Sequence, residues 1–509
     1  MRLFRIAGLA ALFAAAAPAQ AEWLKATSRH FIVYSDTNEA ALRKQATQLE
    51  QFDAMIRRFM RTRSDDDAEF NKVTVYVLPS AASVQRLLGQ KNIAGFYVPR
   101  VEGSIAFTPR QAGSDQSDFT PRMVLFHEYA HHFLMGNYAL AYPQWFNEGF
   151  AEFVSTMTER QGFVWLGGAA QHRAYGIWDK ALSIQQLFAP PARMDDRQRE
   201  AIYSRGWLLT HYLMFDPERR QQLARYLDLF NAGKPSIDAA TEAFGDLKAL
   251  DKKLESYVSR PTLPAIKVDP AQLGTPQVDV RKLTPGESAL IVYRMESTRG
   301  VNNKTAGPLY TKAAAAAVPF ANDAVAQGWL AEMAYDAGQP AAAEAAADAA
   351  IAADAKSSQA LLYKARIRLR RAAEAKQTDP KVWSEARSWI VKANRAQPND
   401  AAALALFYES FLIQNAKPSG SAVAGLYRAT QLSPQDGGTR FLAARQLILD
   451  GDTARAKTVL RPLASNPHAG ADNGAARLLA LLESGQTGQG AIDALEKAAT
   501  AATTAQPGS

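Results

Sequence analysis

Hydrophobic positions along the chain fall into three regimes. The first is an unbroken apolar, alanine-rich run, Ile6–Ala17, which follows a basic start with Arg2 and Arg5 and precedes Ala19-Gln20-Ala21. A basic segment, a short apolar run and a small-x-small triplet make a secretory signal, with cleavage expected before Glu22. The competing reading, a membrane anchor, needs about 20 apolar residues. No later segment is long and apolar enough to span, and no cysteine follows the signal to carry a lipid. The expectation is a soluble, exported chain, periplasmic or secreted, with residues 1–21 as its signal peptide.

The second regime, residues 22–260, mixes strand and helix patterning. His30–Ser35 and Val73–Leu78 read as strands, and Gly95–Val98 and Ser104–Phe107 as two more, joined through Pro99–Gly103. Between them, Asn38–Arg63 places Leu42, Ala46, Leu49, Phe52, Met55, Ile56 and Phe59 on one helical stripe. Helical patterning dominates after residue 120. Strands first and helices afterwards predict an α+β domain. Residues 259–285 then carry five prolines, at 261, 264, 270, 276 and 285. Little periodicity survives there, so 261–285 reads as a linker, with room for a short strand at 277–281.

The third regime, 286–497, is alanine-rich and helical. Turn signals recur at Pro319-Phe-Ala-Asn, Asp354-Ala-Lys-Ser, Gln397-Pro-Asn-Asp, Ser433-Pro-Gln-Asp and Asn466-Pro-His-Ala. A period near 34 residues with two helices per unit is the tetratricopeptide signature, and predicts an all-α helical solenoid. Gly338, Ala343, Ala350 and Ala355 supply the small residues that let paired helices approach. One unit is longer, with its insertion around Ala372–Lys381. An unrelated alanine-rich helical bundle is the alternative. From Ala498 to Ser509 the composition predicts a disordered tail.

Composition narrows the chemistry. A length of 509 residues suggests two to four domains. With no cysteine, the chain has no disulfide, no Cys-ligated metal and no thiol nucleophile. The net charge of +8 is small for the length and no Lys/Arg run concentrates it, so no nucleic-acid partner is expected.

What remains is concentrated between 120 and 152. Thr120-Pro121 opens a helix, as N-cap and first helical residue. On it lies His127-Glu128-Tyr129-Ala130-His131. Histidines four apart share a helix face, so both imidazoles can meet one metal ion, with Glu128 beside them as a base for water. Two ordinary helix histidines are the plainer reading. Trp145-Phe-Asn-Glu-Gly-Phe-Ala-Glu-Phe then reads as a second helix with Glu148 and Glu152 one turn apart. A catalytic zinc takes three protein ligands, and Glu148 supplies the third. Glu152 is placed to bond a ligating imidazole from behind.

HEYAH followed by WFNEGFAEF resembles the gluzincin zinc metallopeptidases, in the peptidase-MA-like branch related to alanyl-type aminopeptidases and thermolysin. The resemblance covers about 22–260 and implies a zincin-like fold, one zinc per chain on His127, His131 and Glu148, and Glu128 as general base. Here 16 residues separate His131 from Glu148, two fewer than is usual in those aminopeptidases, so the loop Gly136–Pro143 is shorter. Tyr203-Ser-Arg-Gly206 resembles their Tyr-x-Lys-Gly segment, which implies Tyr203 as a donor to the oxyanion. His211, eight residues on, is a rival donor, and His132 is expected to take no part. The Gly-x-Met-x-Asn segment of those enzymes has only Gly103-Ser-Ile-Ala-Phe107 in its place. The resemblance therefore carries peptidase chemistry over without aminopeptidase specificity.

The leading expectation is an exported zinc peptidase acting on peptide or protein substrates, with a repeat domain that binds protein. The alternative is a zincin fold plus repeats that is catalytically idle and serves as a scaffold. Trp165, Tyr175 and Trp178 are candidates for a pocket wall, against the plainer reading of core aromatics.

Overall fold

In the computed structural model, which describes residues 22–62, 67–91, 95–111, 120–138, 140–466 and 473–504, the first half of the chain is built on a six-stranded mixed sheet. The strands are β1 (Leu24–Thr27), β2 (Phe31–Ser35), β3 (Val73–Ser80), β4 (Phe96–Val98), β5 (Ile105–Gln111), β6 (Thr158–Arg160), β7 (Phe163–Leu166), β8 (Ile266–Val268) and β9 (Asp279–Lys282). The sheet order is β4-β5-β3-β2-β1-β9, and β6-β7-β8 form a second, three-stranded sheet. The central strands β2, β3 and β5 run parallel, flanked by antiparallel β4 on one side and β1 and β9 on the other.

Alternation on these strands decides what packs where. Phe31, Val33, Val73, Val75, Val77 and Ala106 face one core. Tyr34, Tyr76, Leu78, Ile105 and Phe107 face the other. Period two sends neighbouring side chains to opposite faces, and parallel central strands need both faces covered. In register across the sheet, Tyr34, Tyr76 and Phe107 stack with ring centroids 5.2 and 5.3 Å apart.

Ten helices belong to the chain before residue 260: α1 (Glu39–Met60), α2 (Ala81–Leu88), α3 (Pro121–Tyr138), α4 (Gln144–Ser155), α5 (Ala174–Asp179), α6 (Ile184–Phe188), α7 (Asp196–Met214), α8 (Pro217–Asn231), α9 (Ser236–Phe244) and α10 (Leu247–Val258). Helix α1 buries the expected stripe from Leu42 to Phe59. It packs with α3, α4 and α7 in the first core.

From Pro285 on, the described residues form helices and turns but no strand: α11 (Pro285–Thr298), α12 (Ala306–Ala317), α13 (Ala324–Asp336), α14 (Pro340–Ala353), α15 (Ser358–Glu374), α16 (Pro380–Ala396), α17 (Ala401–Ile413), α18 (Gly420–Leu432), α19 (Gly437–Leu449), α20 (Thr453–Ala464), α21 (Gly474–Glu483) and α22 (Gly488–Thr504). Consecutive helices pack pairwise, α13 on α14, α15 on α16, α17 on α18 and α19 on α20. Three of the recurring turns end on the N-cap of the next helix, Ser357, Asp400 and Asp436, and the turn at 319–322 is followed by one, Asp323. These accept from backbone N–H groups of α15, α17, α19 and α13, while the fifth turn, from Asn466, runs outside the described residues. The longer unit holds the two 17-residue helices α15 and α16.

Two expectations change. The stretch 261–285, read as a linker, supplies a strand to each sheet: β8 pairs with β7, and β9 with β1. The second core of the sheet is closed by Leu290, Ile291, Met295, Trp329 and Met333 from α11 and α13, so the first repeat helices belong to the core of the first half. Strand β9 overlaps the short strand expected at 277–281, whereas the three residues of β8, IKV, leave no alternation to read. The last helix also continues past Ala498 to Thr504. Residues 1–21, expected to be a signal peptide, and the final residues 505–509 lie outside the described residues. Among the described residues no helix is long and apolar enough to cross a membrane.

The helices after residue 285 also grip the loop between β4 and β5 and the segment that leads into β3. Arg366 donates to Glu102 at 2.9 Å, and Ser433 Oγ to the Arg100 carbonyl at 3.2 Å. Arg428 holds Asp67 through two bonds of 2.8 and 2.9 Å. Gln435 and Asn71 exchange amide hydrogen bonds of 2.7 and 2.9 Å.

Candidate metal centre

Helix α3 starts as the sequence predicts, with Pro121 as its first residue and Thr120 Oγ1 accepting from the Met123 N–H at 3.3 Å. Its far side from the motif histidines is fixed to α1. Tyr129 donates to Asp53 at 2.7 Å, Arg57 Nε donates to the same carboxylate at 2.6 Å, and His30 meets Glu50 at 2.6 Å. Buried polar groups that are paired this way set the rotation of the helix about its axis. His132 belongs to this side. It is buried, bonds Tyr97 Oη at 2.8 Å, and burial pushes its pKa down to about 3.

Held in this orientation, α3 turns His127 and His131 toward α4. Their Nε2 atoms lie 3.2 Å apart. Glu148 Oε2 stands 3.3 Å from His127 Nε2 and 3.6 Å from His131 Nε2. Two imidazole nitrogens and one carboxylate oxygen thus form a compact triangle, and this group could hold a metal ion. The structure brings together all three residues expected to ligate. Glu148 is 1% exposed, so its position is set by α4 rather than by solvent.

Helix α4 is held against α7 by two glycines. A Cβ on Gly149 would stand 2.2 Å from the Gly206 carbonyl oxygen, and one on Gly206 would stand 2.5 Å from the Trp145 carbonyl oxygen. The backbones touch there, with Glu148 one residue before one glycine and Tyr203 one turn before the other. Tyr203 lies in the second turn of α7, which starts at Asp196. Its ring centroid is 6.1 Å from that of His127.

Glu128 is half-buried on α3. Its position directly after His127 sets it beside the motif histidines on the same helix. Glu152 lies behind His127, with Oε1 3.1 Å from Nδ1, as its spacing suggests. Asn147 Oδ1 stands 3.2 Å from His131 Nδ1.

The electrostatics follow from this crowding. Burial opposes charge on His127, but hydrogen bonds to Glu148 and Glu152 outweigh it and push its pKa up to about 10. Burial likewise opposes charge on Glu148, yet His131 and His127 hold it below the usual carboxylate range. Glu152 is held low against burial by His127, His172 and Arg173. Burial raises the Tyr203 phenol, and the Glu148 charge raises it further. Tyr203 therefore keeps its proton as a hydrogen-bond donor at neutral pH.

Other candidates fall elsewhere. His211 is fully buried, with Nδ1 2.8 Å from Tyr257 Oη and Nε2 2.9 Å from the Gly167 carbonyl. Both ring nitrogens are spent on the core, so the rival donor does not reach the triangle. Trp165 is half-buried on β7 under Arg160 and Lys267. Tyr175 and Trp178 are 76% and 58% exposed on α5, not core. A cavity of about 460 Å³ lies on the α1 side of α3, lined by Arg57, His132 and Asn137, and does not include the three donors. The sequence reading missed His172, Arg173 and Glu200. They lie about 40 to 70 residues beyond His131 in irregular or polar stretches, where no spacing links them to the motif.

Against known proteins, no family model matches the chain and no curated protein matches it.

Proposed function

We propose that this protein is a zinc-dependent peptidase of gluzincin type, with a zincin-like catalytic half and tetratricopeptide-type repeats. The observation that carries the reading is the donor triangle. Zinc bonds nitrogen and carboxylate oxygen at about 2.0–2.2 Å, so two ligands of a tetrahedron stand about 3.4 Å apart. The sides of 3.2, 3.3 and 3.6 Å fit that edge. Three protein donors also match a site that keeps one position for water or substrate.

When bound, zinc would polarise the scissile carbonyl and acidify water. His127, His131 and Glu148 would hold it. Glu152 would keep His127 as the tautomer with Nδ1–H, leaving Nε2 as the metal-facing lone pair. Glu128 takes the proton from the attacking water and returns it to the leaving amine. Tyr203 donates to the oxygen of the carbonyl as negative charge develops on it. Peptide or protein is the substrate class. The repeats support the loop before β5 and present their remaining surface to a protein partner.

The test is metal content together with hydrolysis. The purified protein should hold about one zinc per chain. His127→Ala, His131→Ala and Glu148→Ala should each strip it, while Glu128→Gln should keep zinc and lose cleavage of casein. Full zinc in a His127/His131 double variant, or parental cleavage by Glu128→Gln, would sink the reading.

A further inference from the structure

One short turn touches both halves of the candidate site. It is the single 3₁₀ turn Gln171–Arg173, between β7 and α5. His172 Nε2 lies 2.8 Å from Glu152 Oε2. Arg173 donates through Nη2 to Glu152 Oε1 at 2.7 Å, the same oxygen that faces His127 Nδ1. Through Nη1 it donates to Glu200 of α7 at 2.7 Å. Its guanidinium carbon lies 4.8 Å from the centroid of the Tyr203 ring. One planar cation therefore spans α4 and α7, bonding a carboxylate on each and covering the phenol between them.

Backbone packing holds this bracket still. Gly176, three residues beyond Arg173, lies against Ser204, the residue after Tyr203: a Cβ on it would stand 2.5 Å from Ser204 Oγ. Glu152 is 1% exposed and needs its cation, because an uncompensated buried carboxylate is costly. A guanidinium meets the need with a rigid fork, whereas an ammonium would supply a point charge.

We propose that Arg173 is a positioning residue with two arms: it fixes the His127 imidazole through Glu152, and it fixes the Tyr203 phenol through the face of its ring. The Tyr203 arm rests on the hydrolytic reading, and the His127 arm requires only metal binding. Groups that orient a metal-bound imidazole typically contribute 10–100-fold in metal affinity or activity.

The test uses the full chain with Arg173→Gln and Arg173→Lys, each compared with the parent by circular dichroism. Zinc affinity is read by competition with a chromogenic chelator, geometry by the visible bands of the cobalt-loaded protein, and kcat and KM on fluorescent casein at saturating zinc. Arg173→Gln should bind zinc about 10–100-fold more weakly. It should also shift the cobalt bands and lower kcat more than it raises KM. Arg173→Lys keeps the charge on Glu152 and loses the fork. It should recover zinc affinity to within a few-fold and remain slow. In a Tyr203→Phe background the kcat effect of either variant should shrink.

Parental zinc affinity and cobalt bands in folded Arg173→Gln overturn the His127 arm. A kcat loss that is the same with and without the Tyr203 hydroxyl overturns the Tyr203 arm. If Arg173→Gln does not fold, Arg173→Lys decides, and a parental kcat overturns the proposal. If the parent binds zinc and cleaves nothing, the hydrolytic reading and the Tyr203 arm fall together. The His127 arm is then settled by zinc affinity and cobalt bands alone.

Discussion

Gly149 of α4 and Gly206 of α7 meet backbone to backbone, and this contact sets how far Glu148 stands from Tyr203. A methyl on either glycine would sit at 2.2 or 2.5 Å from a main-chain oxygen, which cannot turn aside as a side chain can. Two effects of Gly→Ala oppose each other. Alanine is the better helix former by about 1 kcal/mol. Overpacking at a main-chain contact typically costs about 1–3 kcal/mol or more. At 2.2 Å the clash wins, so Gly149→Ala and Gly206→Ala should each lower stability in denaturant titration and weaken zinc binding. A stabilised Gly206→Ala chain would mean that the two helices do not touch as described.

The same pair marks what the sequence makes legible. Asn147-Glu148-Gly149 and Tyr203-Ser-Arg-Gly206 stand out as patterns, and a helical period of 3.6 is enough to set His127 beside His131. The role of the glycines is not legible, because it arises only where two helices 57 positions apart cross. The repeats were readable for a local reason: Asp323, Ser357, Asp400 and Asp436 are N-caps, and a cap announces its helix within three residues. Strands β1 and β8 were not, since three or four half-polar residues carry no period, and β9 was anticipated only as room for a short strand at 277–281. Arg173 was invisible for a third reason, namely that its partners Glu152 and Glu200 join it only in space.

Cutting the chain near residue 262 should not release a folded first half. The cut removes β8 and β9 and uncovers Tyr34, Tyr76, Ile105 and Phe107, which Leu290, Ile291, Met295, Trp329 and Met333 bury. Large apolar side chains contribute about 1.5–3 kcal/mol each on burial, so losing five costs on the order of 10 kcal/mol. That equals the whole net stability of a typical domain. Residues 22–262 should be insoluble or molten by near-ultraviolet circular dichroism. A chain extended through α13, to residue 337, should be better folded. A cooperative unfolding transition in the shorter piece would show that the sheet does not need its second layer.

Acid should destabilise the protein through His211. Burial lowers its pKa to about 4 from the ordinary histidine value of 6.5. The unfolded chain takes up a proton there first, so the stability is complete above pH 6.5 and is lost as pH falls toward 4. A shift of about 2.5 units corresponds to about 3 kcal/mol across that window. Replacing His211 with a residue that does not titrate, as in His211→Gln, should flatten this part of the stability-against-pH curve while lowering its plateau. An unchanged slope between pH 6.5 and 4 would assign the acid sensitivity to other groups.

Tyr203 and His211 share α7 but should separate completely when tested. The Tyr203 ring stands 6.1 Å from the His127 ring, and burial together with the Glu148 charge keeps its phenol protonated. Tyr203→Phe preserves ring volume and removes only the hydroxyl, so zinc binding and unfolding midpoint should stay near parental. The bond it loses strengthens as negative charge builds on the carbonyl oxygen, so kcat should fall further than KM rises. Loss of one such donor typically costs about 10²–10³ in kcat. His211 should behave in the opposite way. Its nitrogens hold Tyr257 and the Gly167 carbonyl, and His211→Ala leaves a cavity and strands those partners. Removing one member of a buried hydrogen bond costs about 1–3 kcal/mol before any cavity is counted. His211→Ala should therefore unfold at lower denaturant while its folded fraction turns over at close to the parental kcat. Steady-state kinetics and denaturant titrations on the same preparations read both quantities. A His211→Ala chain of parental stability with a collapsed kcat, beside a Tyr203→Phe chain of parental kcat, would hand the donor role to the histidine.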